Sequence, residues 1–345
     1  MTSRESIAGP EEWPLVTVNI LAFNRREELG RTLETVLGDL EYPADRLEVV
    51  VVDNASADGT AAMVRERFPS VHLVVNPDNV GVAGWNAGFA RGRGELFLVL
   101  DDDCYVRGDA LKRAVLAARE ARADLVSFSV RSHVDASFYF NEDYHCGLLA
   151  FWGCAALISR RGVELTGGFD PNIFIWAHEA EFVARLLDGG LRHLYLPEVT
   201  AVHLKAPGRG PGSVYSMRLN TRNFAYIAGR LLRRRHALRA AANLFLRGVL
   251  IALRRPAAAR ALPDVAEGLW AGLRHRRPVR PQVSAAYREN FIEFVNPLQF
   301  ARGPLEIWRR RGDHAAASAD LNRRRRRFWS EHERFYPPRA ASLEL

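Results

Sequence analysis

The sequence predicts an α/β protein built on a mainly parallel β-sheet, and three observations carry this prediction. Short apolar runs of strand length alternate over residues 16–100 with segments of helical length, the pattern of β-α-β units. Three of these runs end directly in polar or acidic residues. The chain has 345 residues, 48% of them hydrophobic, which is enough for one large domain or two, each with a real core.

The predicted elements follow from the same alternation. Strands are predicted at Val16–Phe23, Leu47–Val52, Val71–Val75 and Leu96–Leu100. The helices between and after them are Glu27–Leu37, a segment ending near Phe68, a glycine-rich turn and helix over Asn79–Ala90, and Asp109–Glu120. Beyond Phe151 the pattern is mixed, with a helix at Glu179–Leu187, a strand at Arg192–Leu196 before Pro197, an arginine-rich helical segment at Tyr215–Leu253 and a short helix at Val265–Leu273.

The acidic triplet Asp101–Asp103 is the most informative stretch. It follows the apolar run that ends at Leu100, and three adjacent carboxylates repel one another unless a positive charge is near. A divalent cation with oxygen ligands is the usual solution; a solvated turn that caps the next helix is the alternative. Asn24, Asp53 and the triplet all lie where strands end, and in a parallel sheet those ends form one ligand-binding crevice.

Composition narrows the class of protein. Three cysteines without a CxxC spacing indicate neither a disulfide framework nor a structural zinc site, and a reducing compartment fits best. No secretory signal is apparent at the N-terminus, and no apolar stretch reaches the roughly 18 residues of a membrane-spanning helix. We therefore expect a cytoplasmic protein.

The net charge of +8 is divided unequally between two halves. Residues 1–203 hold 19 Lys and Arg against 30 Asp and Glu, a charge of −11, whereas residues 204–345 hold 29 against 10, a charge of +19. This asymmetry predicts an acidic catalytic half and a basic half that binds an anionic partner, either nucleic acid or an anionic membrane. Leucines and other apolar residues between the arginines from Arg230 to Arg255 favour an anionic membrane surface over nucleic acid, although an ordinary core helix with arginines outside would give the same pattern.

Seven motifs that occur in a fixed order along the chain carry a resemblance to a known protein family. They are Phe23-Asn24-Arg25, the segment Val51–Thr60, Asn79–Gly88 in the pattern Asn-x-Gly-x-Ala-x-x-Asn-x-Gly, the triplet Asp101–Asp103, Gly167–Asp170, His178–Arg185 and His203. With these motifs, roughly the first 223 residues resemble the family 2 inverting glycosyltransferases of the GT-A fold, especially the rhamnosyltransferase-like members.

The resemblance implies the chemistry of the site. A nucleotide-sugar, UDP- or dTDP-activated, would be the donor, and Mg²⁺ or Mn²⁺ would be bound by Asp101, Asp103 and His203. Glu179 would be the catalytic base, although relatives carry Glu-Asp at this point and this chain has His178-Glu179. A helix N-terminal carboxylate is the structural alternative, and Glu181 and His178 are less favoured bases.

The resemblance also implies which residues bind substrates. Contacts to the nucleotide-sugar are expected from Phe23, Asn24, Arg25, Asp53, Asn79, Asn86, Asp101, Asp102 and Arg222. Arg218 and Asn223 are further candidates for the diphosphate, with a basic helix face as the alternative. Contacts to a hydroxyl acceptor, which could be a glycan, a lipid-linked sugar or a small molecule, are expected from Trp152, Trp176 and His178, unless the tryptophans are core residues.

Two related enzyme classes fit poorly. A dinucleotide-binding dehydrogenase needs Gly-x-Gly-x-x-Gly after the first strand, where this chain has Asn24-Arg25-Arg26, and a sugar nucleotidyltransferase should have a lysine-containing phosphate loop there. The sequence thus predicts a catalytic domain over residues 1–223 and a helical, basic extension over 224–345 that could dock on the inner face of the membrane or on the acceptor. A catalytically weak GT-A-like protein that binds membrane or nucleic acid is the alternative.

Overall fold

A computed structural model describes residues 13–134, 151–204, 213–284 and 287. Its strands are β1 (Val16–Ala22), β2 (Leu47–Asp53), β3 (His72–Val75), β4 (Leu96–Asp101), β5 (Cys104–Tyr105), β6 (Leu125–Ser132), β7 (Ala155–Ser159) and β8 (His193–His203). Its α-helices are α1 (Arg26–Gly38), α2 (Thr60–Arg67), α3 (Trp85–Arg91), α4 (Ala110–Ala121), α5 (Arg160–Thr166), α6 (His178–Asp188), α7 (Val214–Leu231), α8 (Arg234–Ala252) and α9 (Leu262–Arg274). Short 3₁₀ turns occupy Ala44–Arg46, Gly81–Gly84 and Pro256–Ala261.

The eight strands form one sheet in the order β3-β2-β1-β4-β7-β6-β8-β5. Strands β1 to β4 pair in parallel, as do β6 and β8, whereas β7 is antiparallel to both of its neighbours and β5 is antiparallel to β8. The predicted α/β class with a mainly parallel sheet is therefore confirmed.

Strand register brings the polar strand ends together. Ala22 of β1 lies opposite Asp53 of β2, and Leu21 of β1 lies opposite Asp101 of β4. The residues that follow these three strands consequently emerge at one edge of the sheet, the carboxyl edge, where ligands bind in parallel α/β sheets.

Both faces of the sheet are covered by apolar clusters. One cluster joins the sheet to α1, α2 and α4, and the other joins it to α3, α6 and the C-terminal helices. Buried residues of α7, including Phe224 and Ile227, belong to the same cluster as Phe182 of α6. The predicted division of the chain at residue 223 falls within α7 and stays a prediction.

Strands β5, β6 and β7 and helix α5 lie outside the predicted elements, and two predicted elements differ in extent. The helical segment predicted over Tyr215–Leu253 is two helices, because Leu232 is extended (φ −88°, ψ 159°) and separates α7 from α8. The strand expected to stop before Pro197 continues to His203, since a register shift opposite Phe128 and Ser129 of β6 lets the chain pass the proline. Across the described ranges, no helix combines the length and the apolar character needed to cross a membrane.

Candidate active site

Three consecutive carboxylates, Asp101–Asp103, stand at the end of β4 on the carboxyl edge. Asp102 and Asp103 are buried and Asp101 is partly buried. One ligand atom each of Asp101, Asp103 and His203 lie within 4.8 Å of one another. His203 reaches the cluster because the β5–β8 pairing places it opposite Cys104, the residue that follows the triplet. The structure thus brings together the three residues that are the predicted metal ligands.

The cluster holds more negative charge than its partners neutralise. Arg25 Nη1 lies 3.0 Å from Asp102 Oδ1 and also pairs with Asp103. Burial, and then the charge of Asp103, raise the pKa of Asp101 well above its usual range; burial also raises the pKa of Asp102, against the opposing charge of Arg25. On His203, whose Nε2 lies 3.1 Å from Asp103 Oδ1, burial acts to lower the pKa, but the hydrogen bond and charge of Asp103 outweigh it and raise the pKa.

The donor set of this cluster fits a divalent cation. Carboxylate oxygens are the ligands that Mg²⁺ and Mn²⁺ prefer, and an imidazole is compatible with Mn²⁺. Three buried or partly buried carboxylates face one guanidinium and one imidazole, so a further positive charge would relieve their mutual repulsion.

Residues after β1 and β2 line the same edge. The Phe23 backbone N–H donates to Asp102 Oδ2 at 3.0 Å. Asn24 has a φ of 53°, and its backbone N–H donates to Ser56 Oγ at 2.9 Å. Asp53 is 1% exposed and accepts from the Ser56 backbone N–H at 3.0 Å. The predicted crevice therefore collects Phe23, Asn24, Arg25 and Asp53 beside the carboxylates.

Glu179, the predicted base, lies in the first turn of α6 and is buried. Its Oε1 accepts from the Gly153 backbone N–H at 3.2 Å, and its Oε2 lies 3.2 Å from His178 Nδ1. After burial and Asp103, its negative charge also contributes to raising the pKa of Asp101. The predicted base and the predicted metal ligands thus lie within electrostatic range of each other.

His178 is buried against aromatic rings. Its ring centroid lies 6.0 Å from that of Trp85 and 5.3 Å from that of Phe169. Burial lowers the pKa of His178 to about 3, so the imidazole is neutral at neutral pH. A neutral imidazole carries one N–H, and the 3.2 Å approach of Nδ1 to Glu179 Oε2 lies outside hydrogen-bonding geometry. The predicted contact of His178 with the acceptor stays a prediction.

Asn54 is a buried hub that sequence reasoning missed. Its Nδ2 donates to Asn79 Oδ1 at 2.8 Å and to Gly81 O at 3.0 Å, and its Oδ1 accepts from Asn76 Nδ2 at 3.0 Å. Its place directly after Asp53, at a strand end, was the available signal. The amide oxygen of Asn79 accepts a hydrogen bond from Asn54. The predicted contact of Asn79 with the nucleotide-sugar stays a prediction.

The rest of the Asn79–Gly88 motif joins distant segments of backbone. The Asn86 side-chain amide makes two hydrogen bonds to the Phe169 backbone: it donates to Phe169 O at 2.9 Å and accepts from the Phe169 N–H at 2.8 Å. A Cβ added to Gly88 would lie 1.9 Å from Asn19 Oδ1, so glycine is required there. These contacts explain the motif by packing, whereas donor binding by Asn86 stays a prediction.

Glu181 belongs to an ion network between α6 and α7. Arg185 Nε and Nη2 reach its two oxygens at 2.7 and 2.5 Å, and Arg230 Nε lies 3.2 Å from Oε1. Arg230 also lies 3.4 Å from Asp170 Oδ2, which accepts from Tyr226 Oη at 2.7 Å. Both oxygens of Glu181 are therefore engaged by guanidinium groups, which gives it a structural part in joining the two helices.

The remaining predicted residues lie around this centre. Arg222 donates to Glu267 Oε1 and to Asn172 O, each at 2.9 Å, and within the described ranges it makes no hydrogen bond or ion pair with the acidic triplet. Trp176 is partly buried and meets Tyr215 edge-on at 5.9 Å. Trp152 is partly buried against the apolar cluster of α1, α2 and α4. Substrate contacts by these three predicted residues stay predictions.

Comparison with known proteins finds similarity to glycosyltransferase family 2 over part of the chain. Residues 17–164 match the family model described as glycosyl transferase family 2. The succinoglycan biosynthesis protein ExoO of Rhizobium meliloti is 38% identical over 34% of this chain and 36% of its own length. The N-acetylglucosaminyl-diphospho-decaprenol L-rhamnosyltransferase of Mycobacterium tuberculosis is 27% identical over 53% of this chain and 76% of its own.

Solved structures agree on the fold. The mannosyltransferase PcManGT of Pyrobaculum calidifontis, solved with GDP-Man and Mn²⁺, superposes with a TM-score of 0.54 at 22% identity, covering 93% of this chain and 86% of its own. The match spans 36% to 40% of the length of the first three curated relatives.

Proposed function

Because the chain carries a glycosyltransferase family 2 domain of the GT-A fold, we propose that it transfers a sugar from a nucleotide-diphosphate sugar, UDP- or dTDP-activated, to a hydroxyl acceptor. The observation that carries the proposal is the cluster of Asp101, Asp103 and His203 within electrostatic range of Glu179. The names of the relatives are consistent with it, since one is a rhamnosyltransferase acting on a lipid-linked sugar.

In the proposed reaction Glu179 acts as the general base. Its carboxylate accepts the proton of the acceptor hydroxyl as that oxygen attacks C1 of the donor sugar. The bond between C1 and the diphosphate oxygen breaks, and the nucleoside diphosphate leaves with the electron pair. Attack opposite the leaving group inverts C1. The Gly153 backbone N–H donates to the carboxylate and helps to hold it in position.

Other residues bind and orient the substrates. A divalent cation held by Asp101, Asp103 and His203 would stabilise charge on the departing diphosphate. Asp53, beside Phe23 and Asn24, is the proposed contact for the nucleobase or ribose of the donor. The other donor-binding roles implied by the resemblance are proposed for Asn79, Asn86, Asp102, Arg25 and Arg222. Trp152, Trp176 and His178 are the proposed acceptor contacts.

The assignment of Glu179 has a direct test. A thermal-shift screen of UDP- and dTDP-sugars with and without Mn²⁺ first identifies the donor. We then expect Glu179→Gln to bind that donor with unchanged affinity while turnover falls about a hundredfold, as for loss of a general base. Glu34→Gln, which changes an exposed glutamate on α1, is the control and should turn over normally. Near-normal turnover of Glu179→Gln would refute the assignment.

We also propose that α8 and α9 dock on an anionic membrane surface. The segment 213–284 contains 15 Arg and 2 acidic residues, and the two acidic residues pair with Arg218 and Arg222. Large apolar side chains of these helices are exposed among the described residues, with Leu253 at 76% and Trp270 at 64%. A groove of about 740 Å³ between the helices is lined by Ala241, Ala242, Phe245, Leu246, Leu262, Pro263, Val265, Ala266 and Leu269. Exposed apolar side chains set among arginines suit the interface of an anionic bilayer.

Vesicle flotation tests this surface. We expect the full chain to float with vesicles rich in phosphatidylglycerol and not with phosphatidylcholine vesicles. Leu253→Asp with Trp270→Asp should abolish flotation, whereas Val134→Asp, at an equally exposed site on the catalytic half, should not. Absence of flotation by the unaltered chain would rule docking out. Strong DNA retention at physiological salt would instead favour the alternative of a catalytically weak nucleic-acid-binding module.

A further inference from the structure

The turn that leads into α6 holds two consecutive residues in the left-handed region. Trp176 has a φ of 64° and Ala177 a φ of 61°, a conformation that residues with a Cβ rarely adopt. Residues in this conformation persist where contacts with the surrounding structure fix the backbone, and they cluster at functional sites. His178 and Glu179 follow directly. Whatever holds this turn therefore sets the position of the Glu179 carboxylate.

A buried amide on α7 holds the turn from one side. Asn223 is 0% exposed, and its Nδ2 donates to Ile175 O at 2.8 Å and to Trp176 O at 3.0 Å. A side-chain amide nitrogen carries two hydrogens, so these two carbonyls use both of them. The neighbouring Arg222 adds a third contact of the same kind, to Asn172 O at 2.9 Å.

The 3₁₀ turn at Gly81–Gly84 holds the same segment from the other side. The Val82 backbone N–H donates to Phe174 O at 2.8 Å. Gly81 has a φ of 63°, and an added Cβ would lie 2.0 Å from that oxygen, so the two backbones approach as closely as glycine allows. The carbonyls of residues 172, 174, 175 and 176 thus all accept from side chains of α7 or from this turn.

We propose that Asn223 is a positioning residue for the catalytic base. By binding two successive carbonyls it keeps the Trp176–Ala177 turn left-handed, and the turn fixes where α6 begins and where Glu179 stands. Asn223 would act through Glu179 and would not touch the donor, which differs from the diphosphate contact that the sequence suggested for it. The inference rests on the proposed role of Glu179 as the base.

The first test is Asn223→Asp, which keeps the shape of the side chain and replaces both donors by a charge facing two carbonyl oxygens. We expect kcat to fall by about 30- to 100-fold, the effect of a small misplacement of a reacting group, while the dissociation constant for UDP or dTDP changes less than about twofold. The matched control is Asn220→Asp on the same helix, whose amide donates to Ser216 O, and it should retain normal kcat. A large loss of nucleotide affinity in Asn223→Asp would overturn the proposal in favour of diphosphate binding.

A double-mutant cycle separates this inference from the proposed function. If Asn223 acts through the base, Glu179→Gln with Asn223→Asp is no slower than Glu179→Gln alone. Losses that multiply overturn the positioning role, even where Glu179→Gln itself is slow. Glu179→Gln at the normal rate refutes the base assignment instead. Should Asn223→Asp not fold, Asn223→Ser, which keeps one donor, takes its place in the same cycle with a smaller expected loss.

Discussion

Replacing Gly153 by alanine tests whether Glu179 must occupy the position seen in the structure. A Cβ at residue 153 would lie 2.5 Å from His178 Nε2 and 3.0 Å from Glu179 Oε1. Ordinary contacts to a Cβ begin near 3.4 Å, so the imidazole must move by about 0.9 Å and the carboxylate by less. A misplacement of about 1 Å in a catalytic group can cost about 100-fold in rate, so the shift of about 0.4 Å required of the Glu179 carboxylate should cost roughly tenfold, or about 1.4 kcal/mol of transition-state stabilisation.

We therefore expect kcat of Gly153→Ala to fall about tenfold with little change in the Michaelis constant for the donor, because residue 153 contacts the base and not the acidic triplet. The assay is release of nucleoside diphosphate, measured chromatographically at saturating donor and acceptor. Gly38→Ala is the matched control, since nothing lies within 4 Å of a Cβ at that position. Unchanged kcat in a folded Gly153→Ala protein would refute the idea that this carboxylate must stay where the structure places it.

Two further substitutions test the buried polar contacts. Glu181→Gln removes the carboxylate that pairs with Arg185 and one of the two that pair with Arg230, so we expect the free energy of unfolding to fall by about 3–5 kcal/mol, measured by urea denaturation; a change below about 1 kcal/mol would contradict the network. Asn86→Asp removes the donor to Phe169 O and should lower the melting temperature, at a cost of about 1–3 kcal/mol, while nucleotide affinity measured by calorimetry stays the same. A tenfold loss of nucleotide affinity at unchanged melting temperature would instead show that Asn86 binds the donor.

Local sequence patterns were sufficient for much of the first half of the chain. The length of the apolar runs and their alternation with helical segments predicted β1, β2 and β4. The polar residues at their ends, Asn24, Asp53 and Asp101, lie at one edge because parallel strands share a direction. The grouping of Asp103 with His203 depended on the family resemblance, since the two residues are a hundred positions apart. The structure then places their ligand atoms together.

The second half depends on long-range pairing, which local patterns do not encode. Strand β7 enters the sheet antiparallel between β4 and β6, and β8 passes Pro197 through a register shift relative to β6, with the extra residues on β8. The left-handed Trp176–Ala177 turn carries no glycine to signal it. The carbonyls at this turn accept hydrogen bonds from Asn223, nearly fifty residues away on α7, and sequence spacing could not reveal that contact.

The most direct measurement of the central claim is calorimetry on protein stripped of metal with EDTA. Titration with Mn²⁺ in the presence of UDP or dTDP should show saturable uptake at one site, and Asp103→Ala should abolish it because that carboxylate lies at the centre of the cluster. No heat of binding from Mn²⁺ or Mg²⁺ to the unaltered protein, with either nucleotide present, would contradict the proposal that the acidic triplet serves a metal-dependent transfer.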